Sequence, residues 1–201
     1  MKTIHTPVPD FSASLHGRRA RRPLELLHAA HALAMQAHWN QTRKDGVTPQ
    51  ITHPLRVQRL LARCGVNDME VHAAALLHDA LEENPGEQGQ RLLNAMARSL
   101  PRGVIETASA LTDPPGLPTD FRKALQMERL AQAPWAVQVV KLADVVAGFE
   151  EGPAPGWTSD KKASYVRQRT ELVREVLSPA CGRLRVLFER ALRQPVWGGA
   201  A

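Results

Sequence analysis

The chain has 201 residues, 43% hydrophobic and 23% charged, with two cysteines and a net charge of +6. That length suits one domain able to bury a real core, and no apolar run is long enough to span a membrane as a helix. The positive charge asks for an anionic partner, while only 4% aromatic residues leave few stacking platforms for a nucleic-acid single strand.

Residues 1–22 carry little hydrophobic pattern and read as a basic arm. Its cluster Arg18, Arg19, Arg21 and Arg22 is either a solvated, flexible segment or a grip on nucleic acid. The N-terminus has no apolar core of a signal peptide. Cys64 and Cys181 form no CxxC pattern and read as thiols of a cytoplasmic protein. The domain proper is expected over 23–195, with 196–201 as a tail.

Pro23 suits the first position of a helix, and Leu24, Leu26, Leu27, Ala30, Ala34 and Ala37 continue an apolar stripe toward Asn40. Residues 41–52 read as a polar loop around Gly46 and Pro49. His53 precedes Pro54, which places it at the entrance of a helix that Gly65 ends. Asn67 and Glu70 resemble a capping box for a helix reaching about Leu81. That helix is apolar on most sides and belongs at the centre. Helices follow near 87–98, 102–112, 120–132 and 135–149, then two amphipathic ones near 159–177 and 179–193. No strand pair is evident, so the fold class is all-α.

Against this helical background stand His53, the dipeptide His78-Asp79, and Asp144. Asp79 closes the apolar run from His72, and Asp144 lies inside Val139–Val146. A buried carboxylate is costly unless paired or bound to metal. Two imidazoles and two carboxylates suit one hard or borderline divalent cation. On a helix, Glu82 shares a face with His78 and Asp79, where it can take a proton from a water that the cation activates. Arg43 and Lys44, close in sequence to His53, can clamp phosphate oxygens. The blander alternatives are that His53 caps a helix and that Asp144 pairs with Lys141. His28, His31 and His72 read as packed or surface histidines.

The order His38-x-x-Gln41-x-Arg43-Lys44-x-Gly46, Thr52-His53-Pro54, Ala74-Ala75-Leu76-Leu77-His78-Asp79-x-x-Glu82, Leu111-Thr112-Asp113 and Lys141-Leu142-Ala143-Asp144 resembles the hydrolase domain of RelA/SpoT proteins. It is more similar still to the stand-alone small alarmone hydrolases of the HD superfamily. The likeness extends over about 29–193 and includes Arg122-Lys123, Gln126, Trp157 and Tyr165.

The resemblance implies a helical HD bundle of about eight to ten helices with one manganese-type site. By position, His53, His78, Asp79 and Asp144 match the metal ligands, Glu82 and Glu83 the acidic pair serving the attacking water, and Arg43 and Lys44 the basic pair that meets the nucleotide. The implied reaction removes the 3′-pyrophosphate from (p)ppGpp. The chain departs from the family in four places: Glu83 replaces Asp, Gln50 replaces an aromatic residue, Val145 replaces a basic residue, and Gly148 replaces an Asn of the substrate shell. These departures keep open hydrolysis of a related nucleotide, such as ppApp or a 3′-phosphorylated nucleotide, and a non-catalytic nucleotide sensor.

Overall fold

Alternation between apolar helical stripes and Gly/Pro breaks gives a bundle of helices. The structure, a computed structural model, describes residues 22–114, 116 and 118–198. Among these the α-helices are α1 (Pro23–Ala37), α2 (Thr52–Arg63), α3 (Met69–Leu77), α4 (Glu87–Ser99), α5 (Arg102–Leu111), α6 (Thr119–Ala131), α7 (Trp135–Glu151), α8 (Ser159–Leu172) and α9 (Gly182–Leu192). Strand-like pairing among the described residues is an isolated bridge between Thr42 and Pro49. The all-α bundle is borne out. Most of the basic arm, including Arg18, Arg19 and Arg21, lies outside the described residues.

Two helices set the architecture. α3 is nearly all small and apolar: Ala73, Ala74, Ala75 and Leu77 are fully buried. A helix apolar all round belongs inside, and short side chains let neighbouring helices approach closely. α3 packs on α1 and α5 to one side and on α2 and α7 to the other. α7 buries Val139, Val140, Leu142, Ala143, Val146, Ala147 and Phe149. It carries the second core, with α2, α9 and the turn after α8 packed around it.

Several local expectations shift. The cap of α3 is Asp68, not Asn67: the Asp68 carboxylate accepts from the backbone N–H of Glu70 and Val71. α3 ends at Leu77 instead of near Leu81. Residues 78–82 form turns, and beyond them the Asn84 side chain donates to the Ala80 and Ala37 carbonyls, which ties the segment to α1. Gly65 ends α2 as expected, with φ +80° and a Val66 N–H to Leu61 carbonyl bond. α8 passes into a π-helical turn, Val173–Leu177. Its wider turn brings Leu172, Val173 and Leu177 onto the buried side together. Packing also continues past residue 195, where the tail was expected. Trp197 is buried against Phe149 and Tyr165, and its indole N–H donates to the Phe149 carbonyl.

Asp68→Ala is expected to destabilise the protein by about 1 kcal/mol through loss of the cap, measured by urea unfolding. Asn67→Ala is expected to change little. The opposite ranking would return the cap to Asn67.

Candidate active site

The elements converge where α2 begins, where α3 dissolves into turns, and halfway along α7. His53 is in the first turn of α2, not ahead of it, because Thr52 already starts the helix. Its Nε2 lies 3.0 Å from Asp144 Oδ1, and its Nδ1 lies 2.9 Å from Glu151 Oε1. His78 Nδ1 donates to the Ala75 carbonyl at 2.9 Å, which turns Nε2 inward to 3.7 Å from the same Asp144 oxygen. One ligand atom each from His53, His78 and Asp144 therefore lies within 4.8 Å of the others.

Asp79 stands beside this cluster. Its Oδ2 accepts from Gln50 Nε2 at 3.1 Å, and its Oδ1 lies 3.1 Å from His38 Nε2. Neither that Oδ1 nor the His38 Nε2 has a well-aligned hydrogen-bond partner, although both atoms are buried. The bland reading of Asp144 is true as well: Lys141 Nζ lies 2.9 Å from its Oδ2.

The electrostatics follow from crowding charge into an apolar wall. Burial alone would raise the Asp144 carboxyl, but Lys141, His53 and His78 hold it well below the usual range. Burial opposes protonation of His53, yet Asp144 and Glu151 push it up to about 9. Burial likewise opposes the charge of Asp79, and His78 and His38 outweigh it, so its carboxyl is lowered. Glu82 sits at the exposed cavity mouth and moves the other way. Partial desolvation and the Asp113 charge raise it, while Lys141 opposes. Glu82 lies on a turn, not on the helix face expected for it, and Glu83 on the bend that follows, yet both still line the cavity.

That cavity measures about 400 Å³ and also presents Arg43, Lys44, Arg122, Lys123, Lys141 and Arg169. The expected polar loop is a built turn. Asp45 accepts from the N–H of Val47 and Thr48, and Arg43 N–H meets the Thr48 carbonyl. Arg43 is already engaged, its guanidinium bonded to Glu151 and, at 3.3 Å, to Gln50. Lys44 lies 5.5 Å from the Trp157 ring centroid.

The departures acquire physical meaning. Gln50 is buried and joins Arg43 to Asp79. Val145 is buried in the core among α7 residues and lines no part of the cavity, so it leaves no gap in the site wall. Gly148 does line it. His72 is a packed histidine, 2.8 Å from the Val66 carbonyl, while His28 and His31 are exposed.

Sequence reasoning missed His38, Gln50 and Glu151 as working parts. His38 stood inside the quoted motif, but its partner is 41 positions away in the chain. Glu151 is 98 residues from His53, and only the fold joins them.

The arrangement fits a divalent cation on chemical grounds. It offers two imidazole nitrogens and a carboxylate oxygen at mutual distances a single ion can span. The outward nitrogens of both histidines are tied to Glu151 and a backbone carbonyl, the kind of partner that orients metal-bound histidines. An orphaned carboxylate oxygen of Asp79 lies next to the cluster.

A family model described as an HD domain matches residues 30–150. The guanosine-3′,5′-bis(diphosphate) 3′-pyrophosphohydrolase MESH1 of Xenopus tropicalis is 32% identical over 154 residues, covering 74% of this chain and 83% of that protein. The Homo sapiens protein of the same name is 32% identical over 155 residues, covering 75% and 83%. The fold is also similar to a solved structure described as a metazoan ortholog of SpoT that hydrolyses ppGpp. That likeness has a TM-score of 0.71 at 26% identity, over 84% of this chain and 94% of the other.

Adding Mn²⁺ at about 100 times its Kd is expected to stabilise the protein by about 2.7 kcal/mol, read as a rise in Tm that EDTA reverses. Asp144→Asn should lose that rise. An undiminished rise in the variant would place the cation elsewhere. Gln50→Leu keeps the volume but frees Asp79, and is expected to weaken metal binding about 10- to 100-fold, measured by titration calorimetry. Wild-type affinity would show that Asp79 needs no anchor.

Proposed function

The chain belongs to the HD-domain family, and we propose that it is a metal-dependent phosphohydrolase that removes the 3′-pyrophosphate from guanosine tetra- and pentaphosphate. The products are GDP or GTP and pyrophosphate. Water attacks the phosphorus attached to the ribose 3′ oxygen, that P–O bond breaks, and the ribose oxygen leaves with a proton. The observation that carries this reading is the His53–His78–Asp144 cluster set in the wall of a cavity that also presents Arg43, Lys44, Arg122, Lys123, Lys141 and Arg169, beside the carboxylates Asp79, Glu82, Glu83, Asp113 and Glu171.

The cation, which we take to be manganese, would be held by His53, His78 and Asp144, with Asp79 as a fourth ligand from the adjacent turn. When bound, it supplies Lewis-acid chemistry and lowers the pKa of water near it. The chain's own side chains do the rest. Glu82, with its carboxyl raised, accepts a proton from the attacking water, and Glu83 beside it lines the same wall. Lys141, Arg122, Lys123 and Arg169 face the charge that develops on the phosphoryl oxygens, where fixed charges are most effective. Arg43 and Lys44 lie at the edge shared with a second cavity and suit the rest of the nucleotide. The buried Cys64 and the partly buried Cys181 are free thiols, in keeping with a cytoplasmic setting.

Incubation with ppGpp and Mn²⁺, resolved by ion exchange, should give GDP and pyrophosphate. Turnover of ppApp but not ppGpp would move the substrate within the same reaction class. Metal-loaded protein that turns over neither would sink the hydrolase reading and leave a nucleotide sensor. Glu82→Gln is expected to lower kcat by about 10²- to 10⁴-fold, with the metal-induced rise in Tm retained. Unchanged kcat would remove Glu82 from the proton transfer.

A further inference from the structure

The outer faces of α2 and α9 carry charge of one sign. Between Thr52 and Arg63, α2 holds Arg56, Arg59 and Arg63 and no carboxylate. Arg59 and Arg63 are four apart, so they share a face, and both are exposed. α9 adds Arg183 and Arg190, seven apart on one stripe and also exposed. The one acid of α9, Glu189, meets Arg174 at 3.6 Å.

These two faces join. Arg183 reaches the end of α2, where its guanidinium lies 3.5 Å from the Cys64 carbonyl. Arg63 and Arg183 border one open cavity of about 250 Å³, together with Cys64, Val186 and Leu187. Val186 and Leu187 stand between Arg183 and Arg190 on the α9 stripe, so Arg190 continues the row. Among the described residues, none of Arg59, Arg63, Arg183 and Arg190 is paired with a carboxylate. Elsewhere the exposed arginines of single helices are paired. Arg91 meets Glu87 at 3.1 Å on α4, and Arg102 meets Glu106 at 2.6 Å on α5. Arg56 meets Glu151 at 3.5 Å, so the unpaired row begins at Arg59.

Like charges four apart weaken a helix, and an ordinary solvated face mixes both signs. α2 bears this repulsion with no acid of its own to offset it, and an anionic partner would relieve it. We infer that the α2–α9 face is a second binding surface, apart from the metal-side cavity, for the sugar-phosphate backbone of a nucleic-acid duplex. Each guanidinium presents a fork of donors that matches phosphate oxygens, and each phosphate it neutralises releases counterions. A grip of this kind positions the duplex without reading its sequence. The row holds no aromatic ring on which single-stranded bases could stack. It offers a lipid surface little but Val186, 64% exposed, where an interfacial helix needs a broad apolar face. This surface does not depend on the phosphohydrolase reading.

The test is fluorescence anisotropy of the full chain with labelled DNA and RNA duplexes over a series of salt concentrations. Arg59→Ala/Arg63→Ala is expected to weaken binding about tenfold per arginine near 0.1 M salt. The slope of log Kd against log salt should fall by about two. Arg91→Ala/Arg102→Ala removes the same charge from paired positions and should change binding by no more than about twofold. All four positions are exposed, and urea unfolding checks that both variants fold.

Equal losses in the two variants would overturn the inference by showing that net charge alone binds. A loss confined to replacement of Arg18, Arg19 and Arg21 would do the same by moving the grip to the basic arm. Wild-type protein that binds neither duplex would end it. Displacement of the duplex by poly-L-glutamate at equal charge concentration would also overturn it, and would make the face a site for acidic protein.

Discussion

Everything in this molecule is arranged around the charge of Asp144, a carboxylate set in the largely buried middle of α7. Its side chain is 17% exposed, too little for water alone to neutralise it. The fold answers by delivering partners from three directions. Lys141 comes from one turn back on α7, His53 from the start of α2, and His78 from the turn that ends α3. Those three requirements fix how α2 and the end of α3 pack on α7. Breaking one partner of such a group leaves the others buried and unbalanced, which costs more than the group contributes when intact. A divalent cation adds positive charge where the carboxylates Asp144, Asp79 and Glu151 gather.

The same logic shows why the cores are separate yet dependent. α3 serves both. Its Ala73, Ala74, Leu76 and Leu77 join the α1–α4–α5 core, while Val71 and Ala75 belong to the α2–α7–α9 core. His78 and Asp79 follow directly where this shared helix ends. The site lies at the seam, held by packing from both sides, and its geometry is preorganised by contacts far from the chemistry.

Much of this was legible in the chain. The apolar runs around His78-Asp79 and Asp144 marked carboxylates that needed partners, and Gly65, Pro118 and Gly152 marked helix ends correctly. What could not be read was any bond whose ends are distant in sequence. Nothing local to His53 points to Glu151, and nothing local to Gln50 says that it will replace a ring with a bridge between Arg43 and Asp79. Asp68 outcompeted Asn67 as the cap because the ionised carboxylate accepts two backbone N–H groups at a positive helix end. Val145 illustrates the converse error. A lost basic residue looked like an eroded site, but its position on α7 faces the core. Gly148 also looked like a loss, and only the fold shows that the Tyr165 hydroxyl from α8 fills the place a side chain there would take.

The polar contacts form one connected chain, and that has an energetic consequence. Lys141 meets Asp144, Asp144 meets His53, His53 meets Glu151, Glu151 meets Arg43, Arg43 meets Gln50, and Gln50 meets Asp79. A phosphate arriving at Arg43 must compete with Glu151 for the same guanidinium. If it wins, Glu151 is left to His53 and Arg56, and the orientation of a candidate metal ligand responds. The reverse also holds, since a cation that draws His53 away from Asp144 alters what Glu151 asks of Arg43. Coupling of this kind is reciprocal by thermodynamic necessity. Anion recognition and cation binding are thus two loads on one network, which is why Gln50 and Glu151, although neither is placed to touch the reacting phosphorus, sit among the most consequential side chains in the protein.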